Sequence, residues 1–146
     1  GHTPGSSVVL DERSNRRFTG DAIGSGYGVW MQTPTAVPLE TYYESLVHLL
    51  KWLVDRGGRM TFHGGHRYQM FQSTHVPAFN PPSLGLLCDL IDLVDQIVHG
   101  KIVGRISNVD NIMELEPVLY AAYGRAEIQY KASNIKKRPD AVSAKV

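Results

Sequence analysis

Two apolar stripes at helical spacing, with short β-prone runs before, between and after them, most constrain what this chain can fold into. In the first stripe, Leu39, Tyr43, Leu46, Leu50 and Leu53 recur every three or four residues, the repeat that lines one face of an α-helix. Glu40, Glu44 and Lys51 fall largely on the other side. Pro38 suits a first helical turn and Gly57-Gly58 a C-terminal stop, so a helix is predicted from Pro38 to about Arg56. In the second stripe, Leu87, Leu90, Ile91, Val94, Ile97 and Val98 are apolar, while Asp89, Asp92 and Asp95 face away. Ser83 is a suitable N-cap, and Gly100 a stop after about His99.

The β-prone runs are short. Residues 7–10 (SVVL) and 16–20 (RRFTG) flank a polar turn at 11–15, which reads as a hairpin or adjacent strands. Residues 59–62 (RMTF) read as a short buried strand running into HGGHR. Ala126, Ile128 and Tyr130 alternate with Glu127, Gln129 and Lys131, so 126–131 is a predicted late strand. The glycines of residues 21–28 and the prolines of 33–38 and 67–82 mark loops. Residues 101–118 carry no single pattern, and the basic tail from Asn134 reads as frayed. Helices alternating with strands after an initial β section predict the α/β class.

The chain has 146 residues, one domain's worth at ~100–200 residues per domain. Its 42% hydrophobic and 20% charged residues permit an ordinary core. A formal net charge of +1 excludes a strong overall field for nucleic acid or anionic membrane. Lys131, Lys136, Lys137 and Arg138 read as a basic tail rather than a nucleic-acid site. The single Cys88 excludes an internal disulfide and a Cys-rich zinc module. No apolar run reaches the ~18–20 residues of a membrane span. No signal peptide is seen, so the cytoplasm is the expected location.

Three short motifs carry the chemistry: GHTPGS (1–6), FTGDA (18–22) and FHGGH (62–66). Each sets a metal-capable side chain beside glycine, in a turn or at a strand end. Glycine lets the backbone turn sharply there, and strand ends of open α/β sheets face the usual ligand crevice. Zinc takes neutral imidazole nitrogens and carboxylate oxygens, so His2, Asp21 and His66 are suitable ligands. His66 is preferred over His63 because only His66 follows the Gly-Gly pair.

Taken together, the motifs resemble those of the metallo-β-lactamase fold superfamily of hydrolases, over residues 1 to about 66. GHTPGS looks like that family's third motif, FTGDA like its fourth, and Gly64-Gly65-His66 like the Pro-Gly-His form of its fifth, with Gly64 in place of proline. The resemblance implies that His2 joins the first metal's ligands, that Asp21 bridges two metals and that His66 serves the second. It implies a zinc cofactor of one or two ions and a metal-bound hydroxide attacking an ester, thioester, amide or similar bond of a small-molecule substrate. The family's first metal motif, His-x-His-x-Asp-His, does not occur in this sequence. The fold expected is therefore the C-terminal half of an αββα sandwich, a partial domain over residues 1–146, and no hydrolysis is expected from this polypeptide alone. The alternative is a non-catalytic truncated module that associates with another chain or itself, since half a sandwich leaves a sheet face or edge uncovered.

Further positions follow from the resemblance. Tyr27 and Trp30 flank the glycine-rich loop, and His75 sits in the loop after the last metal motif, so all three are substrate-side candidates. His63 is a candidate for supporting a ligand rather than binding metal. The GSGYG run (24–28) lacks the Lys-Ser/Thr of a phosphate-binding P-loop. His48 reads as a helix-surface residue, and His99 as a favourable partner of a helix C-terminus.

Overall fold

The computed structural model describes residues 2–24, 28–57, 60–65, 82–107 and 116–136. Among these residues, seven strands and two helices follow in the order β1 (Val9–Asp11), β2 (Arg16–Gly20), β3 (Val29–Trp30), α1 (Leu39–Arg56), β4 (Thr61–Gly64), α2 (Leu84–Val98), β5 (Arg105–Ile106), β6 (Leu119–Tyr123) and β7 (Ala126–Tyr130). A short 3-10 turn, Ala132–Asn134, follows β7. The content is mixed α/β, with two helices and two small mixed sheets. No helix among the described residues is long and apolar enough to cross a membrane.

The first sheet has the order β1-β2-β4. β1 and β2 form the predicted antiparallel hairpin, with Val9 opposite Phe18 and Asp11 opposite Arg16. The Asp11 carboxylate accepts from the backbone N–H of Arg13 at 3.1 Å, which closes the turn. Asn15 takes the positive φ of 54° that this turn requires, a conformation asparagine tolerates better than most residues. β4 runs parallel to β2, and α1 lies in the connection between them, as parallel pairing demands a crossover.

The second sheet has the order β3-β7-β6-β5. β6 and β7 are joined by the two-residue loop Gly124-Arg125, with Gly124 at φ 56°; hairpin turns of this length need such a φ at the first position. Asp89 of α2 accepts from the Arg125 backbone N–H at 2.9 Å and pairs with its guanidinium at 3.2 Å. That carboxylate does more than solvate a helix face: it ties the hairpin to α2.

Both helices begin and end near the predicted positions. Ser83 Oγ accepts from the Leu86 N–H at 3.1 Å, and Gly57 at φ 60° follows α1. Pro38 stands at the N-cap rather than inside the first turn. The buried face of α1 is Leu39, Tyr42, Leu46 and Leu53; Tyr43 and Leu50 are only half-buried. α2 buries Leu86 and Leu93 in addition to the predicted Leu87, Leu90, Val94 and Ile97. The helices pack on each other, and α2 covers one face of β6 and β7. Val29, Met31, Ala121, Ala126, Ile128 and Tyr130 complete a single core with them. β4 is displaced from the predicted 59–62, so that His63 and Gly64 belong to the strand and not to the loop after it.

Candidate functional site

The parallel pairing of β2 and β4 brings two of the three motifs together. Both strands end on the same side, and the register puts Phe18 beside His63 and Gly20 beside Gly64, with an irregularity between Phe18 and Gly20. Thr19 is buried on the inner face of β2, and its hydroxyl donates to the His63 carbonyl at 3.2 Å. One residue beyond β4, the Gly65 N–H donates to the Gly20 carbonyl at 3.3 Å.

Gly65 sits in a tight junction, where any Cβ would require its neighbours to give by a few tenths of an ångström. A Cβ there would lie 3.2 Å from Gly20 Cα and 3.3 Å from Asp21 Oδ1, closer than side chains ordinarily approach. The Asp21 carboxylate thus lies near Gly65, with Oδ1 shielded from solvent. Asp21 itself opens the turn after β2, closed by the Ala22 N–H donating to the Thr19 carbonyl at 3.0 Å.

The turn is also fixed from α1. The Tyr42 hydroxyl, wholly buried, donates to the Ala22 carbonyl at 2.7 Å. Burial pushes the Tyr42 hydroxyl far above its ordinary range, which favours the protonated, donating form. An open groove of about 640 Å³ lies between this turn, the segment before β1 and α1, with Val8, Ala22, Thr41, His48, Leu49 and Trp52 among its walls.

In the first motif, Thr3 and Ser6 form a closed turn: the Thr3 N–H donates to Ser6 Oγ at 3.0 Å, and the Ser6 N–H to the Thr3 carbonyl at 3.0 Å. His2, just before this turn, is half-buried, with Nδ1 enclosed and without a hydrogen-bond partner among the described residues. His63 stacks on Phe18, ring centroids 5.1 Å apart at 22°, and its Nε2 is likewise enclosed and without a partner among the described residues.

The remaining candidates divide. His66, Tyr27 and His75 lie outside the described residues. Trp30 is partly exposed on β3 in the four-stranded sheet, in register with Gln129, rather than in the sheet that carries Asp21. Among the described residues there is no cluster of three or more histidine, cysteine, aspartate or glutamate side chains able to hold a metal ion. Sequence reasoning missed Thr19 and Tyr42. Thr19 lies inside the FTGD motif and its β-branched hydroxyl at a strand end was a usable signal. Tyr42 gave none, because the helical spacing selected Tyr43 instead.

A scan against protein-family models finds no match, no curated protein matches the sequence, and no solved structure matches the fold.

Proposed function

We propose that this chain carries part of the metal site of a hydrolase of the metallo-β-lactamase superfamily, folded as the C-terminal half of that family's αββα sandwich. The observation that supports this reading most is the proximity of Asp21 to Gly65 across the ends of two parallel strands, where a Cβ on Gly65 would stand 3.3 Å from Asp21 Oδ1. It sets the carboxylate of FTGD beside the backbone that delivers the histidine of HGGH. The order of the three motifs agrees with it, as does the enclosed Nδ1 of His2, without a partner among the described residues.

The donor chemistry fits zinc: His2 and His66 supply imidazole nitrogens, and Asp21 supplies carboxylate oxygens. When bound, zinc would lower the pKa of a coordinated water from about 15.7 towards ~7 and polarise the oxygen of an ester, thioester, amide or similar substrate. The chain's own residues hold the ligands in place. Tyr42 and Thr19 fix the turn that presents Asp21, and Thr19 also pins the end of β4. His63, packed on Phe18, supports the strand end from the other face.

The count of ligands is short. The sequence has no His-x-His-x-Asp-His, so each metal is left with two candidates, His2 with Asp21 or Asp21 with His66. Protein zinc sites use three or four. Weak zinc binding, well below one ion per chain, and no turnover are therefore expected from this polypeptide alone. Metal analysis and zinc titration of the chain, of Asp21→Asn and of His66→Ala test this, with hydrolysis of a model ester as a second readout. Both substitutions should abolish whatever zinc is retained. Zinc uptake that both leave unchanged would remove the site, and two tightly held ions with turnover would refute its incompleteness.

A further inference from the structure

The open groove beside α1 has two walls that lead to two of the candidate metal ligands. On one wall Ala22 follows Asp21 directly; on the other Ser6 closes the turn that follows His2. Continued past β1, the hairpin register that sets Val9 opposite Phe18 carries Ser6 toward Asp21. The Tyr42 hydroxyl bound to the Ala22 carbonyl sets this end of the groove beside the first turns of α1, because a helical side chain leans toward its own N-terminus. From there the groove follows one stripe of the helix, Thr41, Glu44, Ser45, His48, Leu49 and Trp52, at the spacing of neighbours on a helix face. Thr41 to Trp52 spans ~16 Å at 1.5 Å per residue.

Polarity changes along this length. The hydroxyls of Ser6, Thr41 and Ser45 stand toward the Asp21 end, and Leu49 and Trp52, both half-buried, form the far end. The Trp52 indole is held in place there: the Arg56 guanidinium lies 3.9 Å over its ring, and Arg56 Nη1 donates to the Trp52 carbonyl at 3.3 Å. Glu44 is exposed at the rim, and no lysine or arginine is among the described residues that line the groove. The volume of about 640 Å³ falls within the ~300–1,000 Å³ of small-molecule sites, which combine apolar walls with a few polar groups.

We propose that this groove binds the uncharged acyl chain of the hydrolase's substrate, with the scissile carbonyl toward Asp21 and the tail against Leu49 and Trp52. This rests on the zinc-site reading for what happens at the carbonyl end. The hydroxyls near that end can donate to an ester, thioester or amide oxygen, and the apolar far end gains by covering methylenes. Glu44 sets the charge preference. It tolerates a neutral acyl group and repels a carboxylate or phosphate, so the substrate class is the neutral acyl ester, thioester or amide rather than an anionic one. The carboxylate released by hydrolysis meets the same repulsion, which favours its departure.

The test needs neither zinc nor turnover. Trp30→Phe leaves Trp52 as the sole tryptophan. With a chelator present, decanamide should change Trp52 fluorescence saturably. Decanoate should bind about threefold more weakly or worse, and Glu44→Gln should close that gap. Ser45→Phe, which fills the groove, should abolish the response, with circular dichroism confirming the fold. A decanamide carrying a nitroxide on its amide nitrogen should broaden the amide signals of Ser6 and Ala22 more than that of Trp52. The decanoate and nitroxide measurements on the parent chain stand even if Ser45→Phe does not fold. No saturable response, a response that survives a folded Ser45→Phe, decanoate bound as tightly as decanamide, or broadening strongest at Trp52 each overturns the proposal. Zinc titration separates the two readings. If Asp21→Asn leaves zinc uptake unchanged, the metal site falls while decanamide binding remains; if zinc uptake depends on Asp21 and decanamide does not bind, the groove proposal alone falls.

Discussion

Replacing Tyr42 by phenylalanine isolates a single interaction. The ring is fully buried between α1 and the core, so the substitution keeps its packing and removes only the hydroxyl. That hydroxyl donates to the Ala22 carbonyl at 2.7 Å, and Ala22 is itself buried. The carbonyl is then left in an enclosed space without its donor, at a cost of about 1–3 kcal/mol. For a domain of this size the melting temperature should fall by roughly 3–10 °C. Because burial raises the Tyr42 hydroxyl far above its ordinary range, the loss should be the same at neutral and mildly alkaline pH. Urea denaturation followed by far-UV circular dichroism measures the difference, with Tyr43→Phe as the half-buried control. Amide exchange at Ala22, whose N–H donates to Thr19, should accelerate, which reports loosening of the turn that carries Asp21. A Tyr42→Phe stability within about 0.5 kcal/mol of the parent, the scatter of neutral substitutions, would refute the claim that α1 holds this turn through one hydrogen bond.

Arg17 is 2% exposed, and its Nε and Nη1 have no hydrogen-bond partner among the described residues. Arg17→Met, which keeps an unbranched apolar stem, should raise stability by about 1–3 kcal/mol in urea denaturation; a loss would show that the guanidinium is satisfied. Gly28 has φ 81°, and a Cβ there would stand 2.5 Å from the Glu127 carbonyl oxygen. Gly28→Ala should therefore break the β3–β7 pairing and lower stability by about 2 kcal/mol or more, visible as lost amide protection at Met31, whose N–H donates to the Gln129 carbonyl. The Asp11 carboxyl is held below its ordinary range, chiefly by the Ser14 hydroxyl and then by backbone N–H groups of the same turn. Its contribution to stability is present above the unfolded value of about 3.9 and is lost as pH falls through the lower folded value. A carbon-detected NMR titration should show the Asp11 pKa rising in Ser14→Ala; an unchanged value would assign the shift to the backbone alone.

Much of the fold was legible because local patterns were strong. Ser83 and Gly57 marked helix ends through capping chemistry that needs no tertiary contact. The β1–β2 hairpin and β7 followed from β-prone runs and alternation. β6 escaped notice, although the sequence LYAAY-GR-AEIQY has a glycine-led two-residue loop between matching runs, which is a hairpin signal. β5, two residues long, offers no period to read. The choice between Tyr42 and Tyr43 could not be made from spacing, since both fit a stripe at 3.6 residues per turn; the direction of approach of Ala22 decides it. Asp89 looked like one of three solvated carboxylates until the β6–β7 loop arrived beside it, thirty-six residues away in sequence.

The sequence by itself determined the α/β pattern, the ends of both helices and the motifs that nominate His2, Asp21 and His66, because each rests on neighbours within a few residues. Only the tertiary structure decided that β2 and β4 run side by side and in parallel. That pairing sets Asp21 near Gly65 and links Thr19 to His63 across forty-four residues. It likewise decided that Trp30, Gln129, Tyr120 and Arg105 form one row across the second sheet. Side-chain chemistry is written residue by residue, but which residues meet depends on strand register, and register is fixed by burial of the opposite face against α2.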